Sequence, residues 1–61
     1  MANILALVAS AKKKLRDGDA LYRPDAARKA VNGVGIFFKP DVDRLVRAIL
    51  VRLPRNTRRV A

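Results

Sequence analysis

The stretch from residue 39 to residue 54 reads KPDVDRLVRAILVRLP and decides the fold. A proline followed by an aspartate is typical of a helix start, because proline suits the first helical position and a carboxylate favours the positive end of the helix dipole. Helical residues are spaced by about 100°. Six apolar side chains therefore share one side, within about 140° of arc: Val42, Leu45, Val46, Ile49, Leu50 and Leu53. The pattern predicts an amphipathic helix over residues 41–53, which Pro54 ends.

Two more helices are predicted upstream of this one. The first covers residues 4–16, because a good N-cap residue, Asn3, precedes an apolar stripe at helical spacing and Gly18 follows as a stop. The second covers residues 24–32 and starts with the same proline–aspartate pair. Its apolar positions are almost all alanine, so neighbouring helices can approach it closely.

The predicted fold class is therefore all-α, a small three-helix domain over residues 1–54 followed by a basic flexible tail over residues 55–61. The chain has 61 residues, of which 51% are hydrophobic, but ten of these are alanine. A chain of this size buries only about 60% of its unfolded surface. We expect a thin core that a partner could complete.

A Gly/Phe loop at residues 33–39 joins the second and third helices and carries three large apolar residues, Ile36, Phe37 and Phe38. The favoured interpretation makes them a core anchor over the corner between those helices, with the outer helices packing on the alanine face and on the two phenylalanines. The alternative makes them a protein interface that inserts into a groove of a partner.

Composition argues against an enzyme. The chain has no Cys and no His, which removes thiolate nucleophiles, imidazole bases and the usual zinc ligands. All five acidic residues are Asp, at positions that suit turns and helix starts. Ser10 and Lys13 match an S-x-x-K spacing but lack its accompanying motifs, and Gly33 and Gly35 begin a dinucleotide loop that Phe38 interrupts. We expect no catalytic activity, no cofactor and no metal site.

The net charge of +9 is concentrated in two blocks. Residues 12–16 carry four cations, which the negative end of a helix dipole explains in part. Residues 44–61 carry six arginines and no acid, and Asp43 with Arg47 is the sole candidate for a stabilising i,i+4 pair there. The arginines could be a merely solvated face, or they could bind phosphates or carboxylates. The candidate contact residues are Arg44, Arg47, Arg52, Arg55, Arg58, Arg59, Lys12, Lys13 and Arg16.

Three function hypotheses follow. The first is a non-enzymatic protein that binds the backbone of RNA or DNA without sequence specificity, since the loop at 33–39 is too long for a helix-turn-helix. The second is an assembly subunit of a large particle, such as a viral capsid or tail or a ribonucleoprotein, which docks through residues 36–38 and the arginine-rich segment. A membrane-surface protein ranks last, because the chain has no Trp and one Tyr. The sequence is also compatible with a homo-oligomer.

Localisation is predicted from two absences in the sequence. The apolar residues 4–9 have no Lys or Arg before them, so we expect no signal peptide there, and no apolar run approaches the length of a membrane span. We expect a cytoplasmic protein or a component of a particle assembled in the cytoplasm, neither secreted nor transmembrane.

Overall fold

The computed structural model describes residues 3–55, which form three α-helices and no strand. They are α1 (Ile4–Asp17), α2 (Arg23–Gly33) and α3 (Lys39–Arg52). The predicted all-α class is confirmed, and each predicted helix end lies within two residues of the observed one. Residues 1, 2 and 56–61 lie outside the described part of the chain, so the predicted tail is described only at Arg55.

Local signals in the sequence start and stop the helices as expected. The Asn3 side chain accepts a hydrogen bond from the backbone N–H of Leu5 at 2.9 Å and so caps α1. Gly18 ends α1 with a φ of 83°, a left-handed conformation that favours glycine. Pro24 and Pro40 lie in the first turns of α2 and α3. These ends depend on neighbouring residues alone, which is why the sequence predicts them.

The alanine face of α2 forms the centre of the domain. Ala26, Ala27 and Ala30 are completely or almost completely buried. Helices α1 and α3 each contact α2 more extensively than they contact each other, so α2 lies between them. Small side chains allow close approach of helix axes. The remaining buried residues are Leu7, Val8, Ala11 and Leu15 from α1, Ala20, Val31 from α2, Val42 and Ile49 from α3, and Leu53.

The expectation that the two phenylalanines anchor the core is wrong. Phe37 is 70% exposed and Phe38 is 67% exposed, and of the three loop residues only Ile36 packs against the core. The Ile36 backbone is held on both sides, since its N–H donates to the carbonyl of Val31 at 3.4 Å and its carbonyl accepts from Asn32 Nδ2 at 3.0 Å. Ile36 thus occupies the corner, and the phenylalanines lie outside it.

A tertiary contact that the sequence does not reveal joins the start of α2 to the end of α3. One terminal nitrogen of Arg23 donates to the carbonyl of Leu50 at 2.8 Å and to that of Leu53 at 2.9 Å. The last carbonyls of a helix have no intrahelical donors, and a cation is favourable at this negative end. Arg23 therefore satisfies the end of α3 and fixes it on α2.

Enlarging the alanine face should destabilise the fold. Ala27→Leu places a larger side chain where the residue is completely buried, so we expect a loss of about 1–3 kcal/mol of unfolding free energy from overpacking. Ala9→Leu makes the same chemical change at an exposed position of α1, and should change stability by no more than about 0.5 kcal/mol. Urea unfolding followed by far-UV circular dichroism measures both. Equal effects would contradict the packing described here.

Removing the Arg23 guanidinium should also destabilise the domain. Arg23→Met deletes both hydrogen bonds to α3, and bonds of this charged type contribute roughly 1.5–3 kcal/mol. Arg28→Met, on the same helix, removes only an exposed pair with Asp25 at 3.8 Å, which is worth at most about 1 kcal/mol. Urea unfolding of the two variants should rank them in that order, and the reverse order would exclude a stabilising role for Arg23.

Candidate nucleic-acid interface

The outer side of α3 carries an exposed basic surface. Arg44, Arg47 and Val51 lie at positions i, i+3 and i+7, on the side of the helix opposite the buried Val42 and Ile49. We call this surface the arginine face, defined as Arg44, Arg47, Ala48 and Val51. Together with Asp43 these residues line a shallow depression. Val51 is 79% exposed and lies between the two arginines and the end of α3, where its side chain offers an apolar contact surface to a partner.

The arginine face keeps its charge uncompensated. The candidate pair of Asp43 with Arg47 does not form, and the Lys39 ammonium instead contacts both carboxylate oxygens of Asp43 at 3.3 Å. Within residues 3–55, neither Arg44 nor Arg47 has a carboxylate within ion-pair distance. Two guanidinium groups about one helical turn apart are therefore available to an anionic partner.

The other predicted arginines differ from these two. Arg52 donates to the carbonyl of Ala48 at 3.1 Å, so its guanidinium folds back along its own helix. Arg55 is exposed beyond the end of α3. Arg58 and Arg59 lie outside the described residues. Of the predicted C-terminal contact residues, the structure brings Arg44 and Arg47 together on one face.

The basic block on α1 is partly neutralised. Lys13 pairs with Asp17 at 3.0 Å, and Arg16 lies 4.0 Å from the same carboxyl group. Lys12 is exposed. No hydrogen bond or ion pair found within residues 3–55 joins this block to α3. The predicted contact residues Lys12, Lys13 and Arg16 thus form a separate surface with one carboxylate in it.

A second depression lies at the corner between α2 and α3. Two apolar residues line it, Phe37 and Val42, together with four polar or charged residues, Arg28, Asn32, Lys39 and Asp43. Asp43 borders both depressions, so they adjoin at this residue. Sequence reasoning missed Arg28 and Asn32, because only the packing of α2 on α3 brings them next to Phe37.

Neither a metal centre nor a membrane-spanning helix is found among the described residues. In the part of the chain from 3 to 55, the Asp side chains do not gather into any group of three or more that could hold a metal ion. None of the helices described is long and apolar enough to cross a membrane. No protein-family model matches the sequence, and no curated protein and no solved structure is significantly similar to it.

Proposed function

We propose that this chain is a non-enzymatic protein that binds the phosphate backbone of nucleic acid without sequence specificity. The observation that carries the proposal is the pair Arg44 and Arg47, which lie together on the outer side of α3 with no carboxylate partner in residues 3–55. Arg55 is a further exposed cation beyond the end of α3.

The distribution of the acidic residues supports this choice of surface. Asp17 pairs with cations at the end of α1, Asp25 with cations on α2, and Asp43 with Lys39. Asp17 and Asp25 pair with cations away from the arginine face, and Asp43, which borders it, is paired with Lys39. Arg44 and Arg47, without a carboxylate partner in residues 3–55, therefore give this face a local positive potential. Such a potential attracts an anionic polymer from a distance. The planar guanidinium then suits bidentate contact with phosphate oxygens.

The residues of the arginine face favour binding without sequence specificity. Contacts of arginine with phosphate position a protein on nucleic acid but do not read its bases. Adenine edges are typically read by Asn or Gln, and α3 contains neither. Ala48 and Val51 add only apolar contact to the arginine face.

The second candidate is an assembly subunit of a larger particle, and one observation favours it. Phe37 and Phe38 are adjacent and both more than two thirds exposed, and exposed apolar patches mark interaction sites. On this proposal the two phenylalanines enter a groove of a neighbouring protein while the arginine face binds nucleic acid or acidic side chains. The two candidates are compatible, because they use neighbouring surfaces.

Neutralising the arginine face should weaken nucleic-acid binding and its dependence on salt. We expect Arg44→Gln/Arg47→Gln to reduce the slope of log affinity against log salt by about 1.4 for a single strand or about 1.8 for a duplex, because two phosphate contacts are lost. The measurement is fluorescence anisotropy of a labelled oligonucleotide, titrated with protein between about 50 and 200 mM salt.

The matched control is Lys13→Gln/Arg16→Gln, which removes the same formal charge from α1, where Asp17 already pairs with both cations. This control should keep most of the wild-type salt slope. If both double variants lose the same slope, net charge alone drives binding and the arginine face has no special role. If the wild-type chain binds no nucleic acid at low salt, the proposed function is wrong.

A further inference from the structure

We propose that the corner between α2 and α3 binds an unpaired nucleobase on Phe37, so that the chain's ligand is single-stranded nucleic acid. The inference rests on the proposed function and specifies its substrate. It concerns the depression lined by Arg28, Asn32, Phe37, Lys39, Val42 and Asp43.

The Phe37 ring lies on the surface of the corner. It is 70% exposed although Ile36, its neighbour, packs against the core. An exposed aromatic face beside cations is the arrangement on which bases of a single strand stack, and every base has such a face to offer. Phe38 is similarly exposed but lines neither of the two depressions described here.

Polar and charged side chains surround that ring. Arg28 from α2 lines the depression with Phe37, and its ion pair with Asp25 at 3.8 Å is exposed and weak. Its guanidinium can therefore contact a phosphate next to a stacked base, while Lys39 stays paired with Asp43. Asn32 is half-buried, and its amide is held by donation from Nδ2 to the carbonyl of Ile36 at 3.0 Å. Asn32 thus forms a fixed wall of the depression.

The depression adjoins the arginine face. Asp43 borders both depressions, and its charge is compensated by Lys39 at 3.3 Å. A strand whose phosphates contact Arg44 and Arg47 therefore reaches Phe37 without crossing an unpaired carboxylate. One short strand can use both surfaces at once.

The chemistry of the depression favours an unpaired nucleotide over a nucleic-acid duplex and over a segment of another protein. A duplex keeps its base faces stacked inside the helix, so it has no free face for Phe37 unless a base is extruded, which costs energy. A groove that takes the apolar face of a protein helix would be lined mainly by hydrophobic side chains. Here four of the six lining residues are polar or charged.

The test compares two adjacent phenylalanines. Wild-type chain, Phe37→Ala and Phe38→Ala are titrated against a labelled oligothymidylate and against a duplex of the same length. Base stacking on an aromatic residue is worth enough that Phe37→Ala should reduce single-strand affinity by about tenfold or more. Its salt slope should stay unchanged, because no charge is removed. The single-strand affinity of Phe38→Ala should stay within about twofold of the wild-type value. The duplex affinities of both alanine variants should also stay within about twofold of the wild-type value.

A spectroscopic readout does not depend on affinity. The chain has no Trp, so Phe37→Trp introduces a sole indole whose fluorescence reports stacking directly. We expect oligothymidylate to quench this fluorescence strongly, and to quench that of Phe38→Trp little.

Several results would overturn the inference. If Phe37→Ala binds the single strand as well as the wild type does, or if both alanine variants lose affinity equally, Phe37 does not hold a base. If Phe37→Ala instead abolishes self-association or binding to a protein, the corner is an assembly surface. In each of these cases a steep salt slope for the wild type would leave the proposed function standing. Absence of all nucleic-acid binding would remove both proposals.

Discussion

The close packing of α1 and α3 against the alanine face of α2 is the contact on which the rest of the structure depends. Ala26 and Ala27 are completely buried, and their small side chains bring both neighbouring helices close to α2. The apolar side of α3 turns inward against them. The opposite side of α3, which carries Arg44 and Arg47, therefore faces solvent. The same packing brings Arg28 of α2 beside the loop that carries Phe37.

The helices were predictable because their signals are local. Proline–aspartate pairs, the Asn3 cap and the apolar stripes each act within a turn or two of helix. Contacts between distant residues were not predictable. Arg23 binds carbonyls 27 and 30 residues away, and nothing around Arg23 in the sequence indicates that. The same limit applies to the phenylalanines, because hydrophobicity alone favours burial while the position of the corner exposes them.

The candidate site was predictable only in part. The excess of arginine after residue 43 singles out α3, and Arg44 and Arg47 do share one exposed face. Whether Asp43 pairs with Lys39 or with Arg47 could not be decided from spacing, since both lie four residues away. The structure pairs it with Lys39, which leaves Arg47 available. The α2–α3 corner could be recognised as a candidate site only from the fold, because its lining residues come from two helices and a loop.

The most direct test of where the chain meets its ligand is the titration of isotope-labelled protein with oligothymidylate, followed by backbone amide chemical shifts. We predict that the shifts concentrate in residues 43–51 of α3 and around Asn32 and Phe37, and that α1 changes little. Shifts concentrated on Lys12, Lys13 and Arg16, with α3 unaffected, would contradict the assignment of the interface to α3 and to the neighbouring corner.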